Sequence, residues 1–290
     1  FIKLIIHVGT HKTASTSFQQ LCSNSQEILI DNKILYPEYF EFPKHQDYYQ
    51  HSSVARMSQK RDLKSLSVFL QAIYEQTSKK NCKVSLISGE DFENFLVDIH
   101  LANEFEVLAK SVGYSDIEWV VIQRSQIDYL LSIYSEKAAY KMVLDLGLIA
   151  NSILEYGFFS ASSAEYNYKF VFDISKFSKF FKKNVNPNLT IINFDQFIDD
   201  FVGKRIFSYL VNDKSLEKLR QESKSIGKMR KRHSNEKIEF RYLANFLGMK
   251  ANKEFHENNK NLVDSLVSYR LKRNKALIQE IQIKFKERFG

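Results

Sequence analysis

Eight residues at the start of the chain, FIKLIIHV, restrict its architecture more than any other stretch. The run is apolar, rich in β-branched side chains and free of alternation, the pattern of a strand covered on both faces in a parallel sheet. Gly9 ends it, and the small polar stretch Thr10-His11-Lys12-Thr13-Ala14-Ser15-Thr16-Ser17 follows. Helical spacing then resumes through Phe18, Leu21, Ile28 and Leu29. The unit is therefore strand, tight loop, helix.

Three further runs repeat the strand signal, at residues 83–88 (KVSLIS), 117–123 (IEWVVIQ) and 189–194 (LTIINF). Amphipathic spacing between them predicts helices over 61–75, 105–112, 126–144, 196–210 and 236–246. Residues 147–183 read as helix-rich, and 259–289 as one long helix or two. Strands alternating with helices predict an α/β fold, a central parallel sheet flanked by helices with a helix-rich C-terminal half. With only nine Gly and three Pro in 290 residues, no linker divides the chain. The expectation is one domain over 1–290, with 250–290 as a C-terminal helical extension.

The formal charge of +8 favours an anionic partner. Cys22 and Cys82 have neither metal-ligand spacing nor a disulfide framework, which points to a reducing, cytoplasmic setting. No apolar run reaches the roughly 18 residues that span a bilayer. The first residues, starting at Phe1, lack the pattern of a secretion signal.

The first loop has the chemistry of a phosphate cradle. A helix N-terminus presents N–H donors and partial positive charge. Lys12 adds a full charge, Thr13, Ser15, Thr16 and Ser17 add hydroxyls, and Gly9 lets the backbone leave the strand sharply. The loop departs from the ATP-binding pattern Gly-x4-Gly-Lys-Ser/Thr, because His11 stands where a Gly must precede the Lys. A second basic position, Arg124, ends the strand at 117–123, where open α/β sheets bind ligands, and Ser132 follows in the next helix. A guanidinium with a hydroxyl suits a phosphate dianion.

Two stretches together resemble the sulfotransferase family, which uses 3′-phosphoadenosine 5′-phosphosulfate (PAPS). IHVGTHKTASTSFQ resembles that family's 5′-phosphosulfate loop, with Ala14 in place of the usual Gly, and VVIQRSQIDYLLSIYSE resembles its 3′-phosphate motif. LTIINFDQFID and Arg232-His233-Ser234-Asn235 resemble, more weakly, its late strand and its C-terminal loop. The resemblance implies a three-layer P-loop-like fold and PAPS as donor, with the bisphosphate PAP as product and no metal. It implies donor contacts from His11, Lys12, Thr13, Ala14, Ser15, Thr16, Ser17, Arg124, Ser132, Arg232 and Ser234, with Lys12 at the leaving oxygen.

Sulfuryl transfer also needs a base. Glu90, after the second strand signal, and His51, between the first helices, are the candidates, with His11 and His45 in reserve. Tyr36, Tyr39, Phe40, Tyr48 and Tyr49 form either a sugar-stacking wall or core. The acceptor implied is a hydroxyl or amine, first of all a carbohydrate hydroxyl. Two other readings compete: an ATP-dependent P-loop kinase, and a non-catalytic protein that binds nucleic acid or glycan. No helix-turn-helix, zinc-finger or aromatic RNA-binding motif supports nucleic acid.

Overall fold

The computed structural model describes residues 1–38, 50–140, 142–162, 166–226 and 233–290. The chain divides into two compact units, Phe1–Arg124 with Ser160–Met229, and Ser125–Phe159 with Arg230–Gly290.

The first unit is built on a five-stranded sheet. Its strands are β1 (Ile2–Val8), β2 (Ile34–Leu35), β3 (Val84–Gly89), β4 (Tyr114–Gln123) and, after a separate two-stranded sheet of β5 (Phe158–Ser162) and β6 (Asn167–Val171), β7 (Leu189–Asn193). The spatial order is β2-β3-β1-β4-β7, and every pair is parallel. β1 lies in the middle, which explains its unbroken apolar run: only Lys3 is not fully buried.

Alternation along the strands sends side chains to two faces. Ile5, Val120 and Ile122 pack with Phe18 and Leu21 of helix Ser15–Asn24, and with Phe207 and Leu219 further on. Trp119, pointing the other way from β4, is ringed by Phe92, Phe95, Phe105 and Phe181 at centroid distances of 5.2–6.4 Å. Its indole N–H donates to Glu106 at 2.8 Å, satisfying the one polar atom such burial would strand. Cys22 and Cys82 are unpaired and buried.

Helix boundaries follow capping chemistry. The helix expected at 61–75 runs Leu63–Lys79, because the Asp62 carboxylate accepts the Ser65 N–H. The helix expected at 126–144 stops at Ala139, and a new one begins at Leu146 under an Asp145 cap. The stretch expected to be helix-rich, 147–183, instead contains β5 and β6 between its helices.

The second unit is helical. Helix Gln126–Ala139 carries Tyr134, whose ring stacks on Tyr242 of helix Asn235–Phe246 at 4.3 Å. Helix Lys260–Phe289 is tied to the same place: Arg270 Nε donates to Glu239 Oε2 at 2.7 Å, and Asn274 Nδ2 to Glu239 Oε1 at 2.9 Å. Residues 250–290 are thus held by a buried polar network as well as by apolar packing of Val263 and Val267. No helix among the described residues is long and apolar enough to cross a membrane.

Candidate active site

Parallel strands put all their carboxyl ends on one edge, the usual ligand edge of an open α/β sheet. The register is specific here: Val8 of β1 faces Gly89 of β3 and Val121 of β4, and Gln123 of β4 faces Asn193 of β7. Gly9, Glu90 and Arg124 therefore leave the sheet along one rim.

The loop after β1 is tightly made. Thr10 Oγ1 donates to the carbonyl of Ile122, 2.7 Å away on β4, and Thr13 Oγ1 donates to the Thr10 carbonyl. Gly9 is required by proximity: a Cβ there would lie 2.1 Å from Ser15 Oγ and 2.9 Å from His7 Cε1. Lys12 and Ala14 hold positive φ, 64° and 60°, a region that costs an L-residue about 1–2 kcal/mol. Ala14 is the cap position of helix Ser15–Asn24 and lends it no side-chain hydrogen bond. The N-terminal donors of that helix are therefore not consumed by its own cap. Ala14, the position at which the resemblance expects Gly, has a left-handed backbone that glycine adopts without a steric penalty.

Lys12 is half-buried, Thr13 and Ser15 are buried, Thr16 is exposed and Ser17 half-buried. The structure joins Lys12 to Arg124 directly: Arg124 Nη1 donates to the Lys12 carbonyl at 2.9 Å, and the guanidinium lies over the Phe194 ring at 4.9 Å. Ser132 is half-buried in helix Gln126–Ala139 of the second unit. Ser234, also of that unit, caps helix Asn235–Phe246 by accepting the Lys237 N–H at 3.3 Å. Arg232 and His45 lie outside the described residues, as do Tyr39, Phe40, Tyr48 and Tyr49. Tyr36 is core, fully buried and packed edge-on against His51 at 5.0 Å.

The two candidate bases differ sharply. His51 is buried, its Nδ1 accepts the Ser88 N–H at 3.0 Å, and its Nε2–H donates to the Pro37 carbonyl at 3.0 Å. That fixes the tautomer and leaves no lone pair for an acceptor's proton. Burial outweighs both backbone bonds and lowers its pKa to about 4. His51 is a strap across the end of β3, and Gly89 is small because the 51–52 backbone crosses it: a Cβ there would lie 2.9 Å from Ser52 N. Glu90 is half-buried at the same rim, its N–H donating to Ser52 Oγ at 3.1 Å, and its charge reaches His11.

His11 itself turns inward. Its ring is buried between Glu93, 3.0 Å from Nδ1, and Asp91, 3.7 Å from Nε2. Both ring nitrogens thus face carboxylates, and neither is offered to an anion. Asp91, Glu93 and Arg56 were not among the sequence candidates. The available signal was three acids in four residues, Glu90, Asp91 and Glu93, directly after a buried strand.

His7 is also part of this site's foundation. Its Nδ1 is 2.8 Å from Ser88 Oγ and its ring lies against Phe18 and Phe197. Its Nε2 is buried with no hydrogen-bond partner among the described residues, and burial drives its pKa down to about 3.

No family model matches this chain, and neither a curated protein nor a solved structure matches it. The class is therefore defined by the fold and the rim alone: an α/β protein with a central parallel sheet whose carboxyl edge carries a Lys-bearing loop, an Arg and a Glu.

Proposed function

We propose that this protein is a PAPS-dependent sulfotransferase on a P-loop-like fold, acting on a hydroxyl or amine acceptor, first of all a carbohydrate hydroxyl. One observation carries the reading: the two cationic side chains that the sequence assigns to separate phosphates, Lys12 and Arg124, lie on one rim, in touch through the Lys12 carbonyl.

The end of the first helix fits a phosphate group, and Gly9 lets Ser15 pack against the end of β1 to bring that helix end to the rim. The first turn of helix Ser15–Asn24 has no side-chain cap, which leaves its donors and dipole for a ligand.

In transfer, the acceptor oxygen forms a bond to sulfur while the bond from sulfur to the phosphate oxygen breaks, and PAP leaves. Lys12 and the helix end would stabilise the charge that develops on the leaving phosphate. Glu90 would take the acceptor's proton, since His51 has no nitrogen to give. Arg124 would hold the 3′-phosphate. The loop, the helix end and Lys12 together supply the neutralisation that positioning chemistry of this kind requires.

Calorimetry with PAP and with ATP, each with and without magnesium, separates the readings. Tight PAP binding that ignores magnesium supports the sulfotransferase. Stronger, magnesium-dependent ATP binding would replace it with a kinase. Weak binding of both, alongside steeply salt-dependent binding of DNA or RNA, would replace it with a nucleic-acid-binding protein.

A further inference from the structure

Behind the loop lies a buried ion cluster that the transfer chemistry does not use. Glu93 is fully buried in the turn Glu90–Leu96 that follows β3. One of its carboxylate oxygens accepts both the backbone N–H of His11, at 3.1 Å, and the Nδ1–H of the same residue, at 3.0 Å. The other accepts the N–H of Val171 on β6 at 2.5 Å. Asp91, equally enclosed, accepts Arg56 Nε at 2.8 Å on one oxygen, and its other oxygen lies 3.7 Å from His11 Nε2.

The groups facing the His11 ring are Glu90, Asp91 and Glu93 from the turn and the rings of Tyr168 and Phe170 from β6, while Arg56 from helix Ser52–Gln59 reaches the cluster through Asp91. With the ring an imidazolium, two cations, Arg56 and His11, face the two buried carboxylates of Asp91 and Glu93. Burial by itself disfavours the charged ring, but the Glu93 hydrogen bond and the fields of Glu90, Glu93 and Asp91 prevail and raise His11 to about 9.

Holding both the N–H and the ring of one residue fixes its φ and χ1 together. The next residue is Lys12, at φ 64°, and its carbonyl is held by Arg124. Lys12 is thus clamped from both sides, by Glu93 through His11 and by Arg124 directly. We propose that Glu93 is the positioning residue of the anion loop, and that the loop presents Lys12 productively only while His11 is an imidazolium. The inference rests on the reading of that loop as the donor site.

The test pairs imidazole and backbone NMR of the ligand-free protein with PAP calorimetry from pH 6 to 10, on wild type and Glu93→Gln. In wild type, His11 should stay doubly protonated at pH 7.5 and titrate near 9, with the Lys12 amide shifting at the same midpoint. PAP affinity should fall over that range. In Glu93→Gln the His11 midpoint should drop by at least about one unit and PAP binding at pH 7.5 should weaken about tenfold. Should that variant not fold, Asp91→Asn removes the second carboxylate while leaving all three Glu93 bonds, and a smaller drop in the His11 midpoint is expected, with the Lys12 amide following it. A wild-type His11 that titrates below pH 7, or a Lys12 amide indifferent to it, overturns the proposal. So does a folded Glu93→Gln protein that binds PAP as wild type does, with the same pH profile. If wild type binds no PAP at any pH, the donor-site reading fails, and the NMR arm still decides whether Glu93 and His11 set the loop.

Discussion

In the first unit buried charge surrounds a loop in which two non-glycine residues, Lys12 and Ala14, hold positive φ; in the second unit the buried charge of Glu239 is met by Arg270 and Asn274 across regular helices. Among the described residues of the second unit only glycines, Gly157 and Gly248, adopt positive φ. The first unit also buries His7 and His51 as neutral rings, one of them with an unpartnered nitrogen. A polar network that only joins helices can be saturated and unstrained. A loop with two positive-φ residues and histidines displaced in opposite directions meet at the rim where β1, β3 and β4 end, which is the pattern expected of a working site.

The contrast breaks most readily at Lys12. Lys12→Ala should cut sulfuryl transfer by about 1,000-fold, or about 4 kcal/mol of transition-state stabilisation, with little change in thermal stability. A normal rate in a labelled-PAPS transfer assay would remove the rim from the mechanism. Glu239→Ala should do the reverse. It leaves Arg270 and Asn274 without the carboxylate they both meet and should cost about 3 kcal/mol in urea unfolding, while PAP affinity per folded molecule is unchanged.

The acid side of the stability profile sharpens the comparison next. His7 and His51 have folded-state values of about 3 and about 4, against 6.5 when free, so the unfolded chain binds protons first. Their contribution is present above pH 6.5 and is lost as pH falls towards those values. The two rings together should make the protein about 4 kcal/mol less stable at pH 5 than at pH 7, about 2 from each, and a flat profile there would contradict the burial of both. The smallest effect is Ala14→Gly. Relief at φ 60° exceeds the entropy that glycine adds to the unfolded chain, so the variant should be about 0.5–1 kcal/mol more stable in chemical denaturation.

Much of this architecture was legible in the sequence where one physical signal dominated. The apolar runs gave β1, β3, β4 and β7, because strands buried on both faces carry no polar alternation to confuse them. The loop at Gly9 and the Arg at the end of β4 followed from strand ends. β2 escaped, since two residues show no period, and β5 and β6 escaped because their many Phe and Tyr residues read equally well as helix. The two candidate bases could not be told apart in the sequence. His51 and Glu90 look alike as candidates in one dimension, and what separates them is the Ser88 N–H and Pro37 carbonyl that occupy the imidazole. Glu93 was missed because a carboxylate after a strand reads as solvated until the His11 and Val171 N–H groups are seen around it.

The account stands on Lys12 and Arg124 serving one bisphosphorylated nucleotide, and its most direct test compares two ligands on two proteins. PAP and AMP, which differ by the 3′-phosphate, should be titrated into wild type and Arg124→Ala. The prediction is that wild type prefers PAP by at least about tenfold, and that Arg124→Ala erases this preference while AMP binding barely changes. Equal affinity of wild type for the two nucleotides, or an Arg124→Ala protein that keeps its preference for PAP, would contradict it.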